Sequence, residues 1–229
     1  MKRKRSDALE IKGSEIRSAI EELTMLVKLN KPNNNPHPGD DDAKIPTMPF
    51  LSICNLLLLQ VLDKIGPTMT VLRKDIHQNI QRLEKVLESD PSLYSNVVKI
   101  LKKEETEGSS KMRTSCSRAF VWLTRSLDFT VALLQNITKD SEQNMEQAVE
   151  ESYNSTLKSW HGWISWAAYK VALQLVPEKK ILISVLLAKE ENYESLKEEI
   201  QTLISLFVPF LEEVHSVLVL YRLDRIKTP

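Results

Sequence analysis

Three short stretches carry the side chains with the most chemical potential. In DIHQNIQR, residues 75–82, Asp75, Asn79 and Arg82 follow i, i+4, i+7 spacing. On a helix turning 100° per residue they stack on one strip. The strip runs beside an apolar stripe of Leu72, Ile76, Ile80, Leu83 and Leu87, displaced from it by roughly a quarter turn. It therefore lies at the edge of a core. An acid that accepts hydrogen bonds, an amide that does both and a guanidinium that only donates suit a hydroxyl-rich partner such as a sugar. The same spacing also fits a solvated ion-pair strip.

The second stretch is SRAFVWLTRSLDF, residues 117–129. Phe120, Leu123 and Leu127 continue through Val131 and Leu134 as one apolar stripe, while Arg118, Trp122, Arg125 and Phe129 fall on roughly the opposite side. An indole flanked by arginines can stack on a sugar ring or a cation. Alternatively the helix is covered on both sides. The third stretch, KSWHGWISW at 158–166, holds three of the four tryptophans together with His161. Spaced by three, Trp160, Trp163 and Trp166 spread over about a third of a helix surface, so some face inward and some outward. An outward indole suits a membrane interface. No serine or cysteine nucleophile pairs with His161 at a readable spacing, and no His or Cys set resembles a metal site. GxGxxG, P-loop, HExxH and GxSxG patterns are missing. The chain reads as no enzyme, with no cofactor and no metal.

The elements that must position these residues are helical. Only five glycines occur, β-branched alternation is scarce, and Leu, Ile, Val, Lys and Glu recur at helical spacing. A first helix is predicted over 14–29, with Ile16, Ile20, Leu23 and Val27 on its apolar face. The Pro-, Asn- and Asp-rich stretch 30–49 reads as a loop. Helices follow over 50–65, stopped by Gly66-Pro67, and over about 70–88. The next runs over about 91–107 with Asp90 as its cap, and another over about 115–138. One or two lie in 144–176 with Gly162 as a joint, then 178–189, and finally about 194–225 with a bend at Pro209. The class is all-α with about eight helices, divided into an extension over 1–45 with one helix and a loop, and a main domain over 46–229.

Composition narrows the partners. Lys plus Arg and Asp plus Glu are 31 each, so the net charge is zero and no nucleic-acid partner is expected. Two cysteines, Cys54 and Cys116, make no disulfide framework. The basic opening MKRKRSDALE is followed by no apolar signal core, and Asn55 and Gln60 interrupt the most apolar run. A cytoplasmic protein that does not span a membrane is expected.

Taken in order and spacing, FLSICNLLLL, DIHQNIQR, WLTR and HGWI resemble the glycolipid transfer protein family. The resemblance extends over about residues 48–227 and rests on four segments in register rather than on one specific motif. It implies a two-layer helical sandwich enclosing an apolar lipid pocket, and non-enzymatic transfer or sensing of glycosphingolipids. Asp75, Asn79 and Arg82 would hold the sugar, with Arg82 where the family usually has lysine, and Trp122 would stack on it. Asp75 and His161 would bond the ceramide amide. Trp163 and Ile164 would touch the membrane, leaving Trp160 and Trp166 to core packing. A branch that carries ceramide-1-phosphate is similar but has basic residues at 79 and 122. Here Asn79 and Trp122 favour sugar, while Arg118 and Arg125 are candidate phosphate or headgroup contacts. The expectation is a monomeric, peripherally membrane-associated carrier of glucosylceramide-like lipids. The alternatives are a ceramide-1-phosphate carrier and a helical adaptor without lipid cargo.

Overall fold

A computed structural model describes residues 14–29, 44–139, 143–187 and 192–228. Among them the regular structure is helical, apart from one isolated bridge between Pro46 and Asn96. Helix α1 spans Glu15–Leu29, and α2 (Thr47–Cys54) runs through a π-helical segment, Asn55–Gln60, into α3 (Val61–Ile65). Then come α4 (Thr70–Ser89), α5 (Val97–Thr106), α6 (Cys116–Lys139), α7 (Met145–Thr156), α8 (Trp163–Leu173), α9 (Lys179–Leu186) and α10 (Tyr193–Leu220).

Two layers result. Helix α6 lies against α4, α5 and α7 in one layer, and α1 lies against α2 and α10 in the other. Cross-layer packing comes from α10 on α6, α2 on α4, and the π-helical segment on both α4 and α6. The interface is filled by apolar side chains such as Phe50, Leu83, Phe120, Leu127 and Phe207, all essentially inaccessible. Thr47–Ile65 and Tyr193–Leu220 are each long and apolar enough to cross a membrane, yet both pack as core helices of this sandwich.

Several sequence expectations shift. Helix α1 buries Ile16, Ala19, Leu23 and Leu26, while Val27 is exposed. It packs on α10 and α2. Of the loop expected over 30–49, residues 30–43 lie outside the described residues, and Thr47–Pro49 instead form the start of α2. Asp90 does not cap α5. Residues 93–95 form a 3-10 turn, and the α5 cap is Asn96, whose side chain accepts from the Val98 and Ile45 amides at 3.1 and 3.2 Å. Helix α10 continues through Pro209 to Leu220. It ends where Arg222 takes a left-handed conformation (φ 54°) and the Leu223 amide reaches back to the Leu218 carbonyl at 2.8 Å.

The start of α6 is fixed from outside itself. The Glu104 carboxylate of α5 accepts from the Cys116 and Ser117 amides, both at 2.7 Å, and from the Ser117 hydroxyl at 2.6 Å. A carboxylate on the first free N–H groups satisfies them and complements the helix dipole. This contact sets the helix that carries Arg118, Trp122 and Arg125.

Candidate functional site

Helix α4 supplies the first cluster. Burial of Ile76, Ile80, Leu83 and Leu87 turns Asp75, Asn79 and Arg82 to the core's edge. Leu72 is 48% exposed and does not belong to the stripe, because the first turns of α4 stand clear of the core. Asn79 is buried and links its neighbours: its Nδ2 donates to Asp75 Oδ2 at 3.4 Å, and its Oδ1 accepts from Arg82 Nη1 at 3.1 Å. Asp75 is solvent-accessible as a residue, yet desolvation by surrounding protein raises its carboxyl pKa, against the lowering influence of Arg82 and Asn79. The result is a connected acid–amide–guanidinium row with one charge of each sign.

Helix α6 meets this row at its first turn, where the Cys116 thiol donates to the Arg82 carbonyl at 3.4 Å. Arg118 lies close enough to feel Arg113 and Arg82, whose charges add to partial burial in lowering its pKa. One Arg118 N–H donates to the Lys227 carbonyl at 3.1 Å. Arg125 is 3% exposed and turned inward. Its guanidinium donates to the carbonyls of Ile226 at 2.6 Å and Asp224 at 3.0 Å. Burial pulls its pKa down to about 10, which still leaves it charged at neutral pH. The guanidinium carbon lies 4.8 Å from the Trp122 ring centre and 4.1 Å from that of Trp160. Arg125, a candidate headgroup or phosphate contact by its spacing, thus lies against the aromatic wall with two of its donors on backbone carbonyls.

Trp122 is partly exposed, with its ring centre 5.8 Å from that of His161. His161 is not helical. It is extended (φ −88°, ψ 131°) between a 3-10 turn, Lys158–Trp160, and Gly162, the cap of α8. The tryptophan cluster therefore straddles a joint instead of winding around one helix. His161 Nδ1 lies 3.3 Å from the Tyr153 hydroxyl of α7, and Tyr153 stacks on Tyr169 at 3.5 Å between ring centres. Burial, then the Arg125 charge, lowers the His161 pKa, so the ring is neutral at pH 7. A neutral imidazole held at one nitrogen presents the other to a ligand.

Trp163 is 78% and Ile164 51% exposed, side by side at the start of α8. Trp166 is also exposed, under Lys170, and not in the core as anticipated, because Leu173 alone in α8 is buried. Trp160 is partly buried against Arg125. The sequence reading missed Tyr153, whose only signal is an isolated tyrosine on the apolar face of α7. It also missed the segment following α10. Two open surface depressions lie elsewhere, one lined by Asp128 and His215 and one by Met145 and Pro177.

The fold is a two-layer helical body with a polar and aromatic cluster at one edge. Residues 45–188 match the family model for glycolipid transfer protein (GLTP). Over the full length of both chains the sequence is 54% identical to Glycolipid transfer protein 3 of Arabidopsis thaliana and 50% identical to Glycolipid transfer protein 2 of the same plant. The fold superposes on the GLTP fold of FAPP2, described as selecting simple glycosphingolipids (TM-score 0.73, 24% identity, 82% of this chain and 92% of that one). It also superposes on human ceramide-1-phosphate transfer protein bound to 12:0 ceramide-1-phosphate (TM-score 0.75, 14% identity, 93% of this chain and 100% of that one). The chain belongs to the glycolipid transfer protein family. That family consists of lipid transfer proteins, which are not enzymes. Both headgroup chemistries occur on this fold, so the fold does not choose between them.

Proposed function

We propose that the protein carries or senses neutral glycosphingolipids, with glucosylceramide-like monohexosylceramides as cargo. The observation that carries this reading is how the charged groups are employed. Arg125 gives two donors to backbone carbonyls from a buried position, and Arg118 gives one donor to a third carbonyl. The Asp75–Asn79–Arg82 row bears one negative and one positive group. A phosphate monoester needs several free donors and a net positive surrounding. A sugar needs donors and acceptors in balance and an aromatic face, which Asp75, Asn79, Arg82 and Trp122 provide.

In this reading Asp75 accepts from the ceramide N–H, and His161 donates to the amide carbonyl from the nitrogen not bound to Tyr153. The acyl and sphingoid chains enter between the layers, displacing side chains there. Each buried CH₂ is worth ~0.8 kcal/mol, but the bilayer offers nearly the same environment. Exchange is therefore close to balanced, and headgroup contacts select the cargo. Trp163 and Ile164 dip into the bilayer interface during exchange, making the membrane a transient partner of a cytoplasmic monomer.

The test is competitive retention. The protein is incubated with equal amounts of glucosylceramide, ceramide-1-phosphate and a phosphoglyceride, and the bound lipid is identified by native mass spectrometry. A 1:1 glucosylceramide complex that disappears in Asp75→Val is the expected result. Retention of ceramide-1-phosphate instead would overturn the sugar reading.

A further inference from the structure

Residues 222–228 cross from the end of α10 to both halves of the site. The left-handed turn at Arg222 redirects the chain, and Leu223 and Ile226 are buried beneath it. On one side the carbonyls of Asp224, Ile226 and Lys227 accept from Arg125 and Arg118 of α6. On the other side Thr228 takes hold of the joint that contains His161. Its amide donates to the Trp160 carbonyl at 3.0 Å. Its hydroxyl oxygen accepts from the Gly162 amide at 3.1 Å and lies 2.8 Å from the Ser165 hydroxyl. The residues before and after His161 are thus bonded to one threonine, and the strand leading to that threonine is bonded to the helix that carries Trp122.

We propose that this segment is a clasp that sets the position of His161 against Trp122, and that Thr228 is a positioning residue for headgroup recognition. The proposal rests on the lipid reading above for its functional consequence. An extended joint of this kind has few bonds of its own. Gly162 caps α8 without a side chain, and the flanking 3-10 turn has no side-chain cap. Without an outside acceptor the Gly162 N–H would have to find another partner. Thr228 supplies that acceptor, and it does so from a segment that Arg125 locks in place. Arg125 also lies over both Trp122 and Trp160, so one guanidinium fixes the wall and the clasp together. The same threonine bonds Ser165 in the first turn of α8, the helix that displays Trp163 and Ile164.

The test compares Thr228→Val, which removes the hydroxyl while keeping the shape, with Thr228→Ser, which restores it. Thr228 is half-buried at the edge of the fold, so neither change is expected to threaten folding, and a melting curve checks this. Two kinds of measurement, with three readouts, are made on the full chain. The first is amide exchange at Gly162 and the side-chain nitrogen resonances of His161 in the lipid-free protein. The second is the ratio of glucosylceramide to ceramide retained in competition. In Thr228→Val, Gly162 protection is lost, the His161 resonances move and the ratio falls about fivefold or more, as for one lost hydrogen bond. Thr228→Ser recovers all three. Unchanged His161 resonances, or an unchanged ratio alongside lost Gly162 protection, would overturn the clasp. Wild type that does not discriminate between the two lipids would instead sink the sugar reading. The clasp would then stand or fall on the His161 resonances alone.

Discussion

Replacing Asn79 with leucine separates headgroup recognition from folding. Asn79 is 5% exposed, and its amide makes both links of the Asp75–Asn79–Arg82 row. Two neutral-to-charged contacts at 3.4 and 3.1 Å are lost, together with whatever the amide gives a sugar. On the stability side, each lost bond removes a net ~0.5–1.5 kcal/mol. Leucine returns apolar burial and is a better helix former by a few tenths of a kcal/mol. The melting temperature should move by less than about 5 °C, at roughly 2–4 °C per kcal/mol for a chain of this size. On the binding side, a sugar hydroxyl buried against leucine is left unpaired at ~1–3 kcal/mol, or about 5- to 150-fold in affinity. Ceramide has no sugar and should lose almost nothing. The assay is vesicle-to-vesicle movement of labelled glucosylceramide and labelled ceramide by wild type and Asn79→Leu. An equal loss for both lipids would show that the substitution damages the protein and not the headgroup grip. Undiminished glucosylceramide movement would show that Asn79 does not touch the sugar.

Trp163→Ala should lower adsorption to neutral vesicles about tenfold or more, since a large exposed ring is the element that would enter the interface. Retention of micellar lipid should stay intact, and unchanged adsorption in a flotation assay would refute its membrane role. His161 has a folded pKa below its unfolded value of about 6.5. Its contribution to stability is therefore full above that pH and declines as pH falls through the folded pKa, so His161→Gln should remove this acid limb from the stability–pH curve. His215 behaves oppositely, because its 2.9 Å contact with Asp128 raises its pKa. Its contribution is present below about 6.5 and lost as pH rises through the folded pKa, so His215→Gln should flatten that part of the stability–pH curve. Gly66 has φ 103° and ψ −157°, and Gly66→Ala should cost about 1–3 kcal/mol. Calorimetry should show the loss, with the lipid preference unchanged.

Helical class, most helix positions and the α4 row were legible because each is a local, periodic property. Ile76, Ile80, Leu83 and Leu87 declare a buried face by spacing alone, and that face fixes where Asp75, Asn79 and Arg82 must lie. What failed depended on partners distant in sequence. Val27 shares a helical face with Leu23, but the buried face of α1 runs through Ala19 and Leu26 and leaves Val27 exposed. Asn96 wins the α5 cap over Asp90 because it also receives the Ile45 amide, 51 residues away. Trp160, Trp163 and Trp166 read as helical spacing, yet Thr228 holds the chain extended at His161–Gly162 and breaks the period. Arg125 has the spacing of a ligand contact. Only the return of residues 224–226, about a hundred positions later, reveals that it bonds two backbone carbonyls.

Intervesicle transfer of intact lipid by the unmodified protein tests the central claim most directly. Donor vesicles contain labelled glucosylceramide, ceramide-1-phosphate or a phosphoglyceride, acceptor vesicles contain none, and the recovered label is checked chemically. Glucosylceramide is expected to move in intact form at least tenfold faster than either phosphate lipid, a difference of about 1.4 kcal/mol in headgroup discrimination. Faster movement of ceramide-1-phosphate, or recovery of cleaved glucosylceramide, would contradict it.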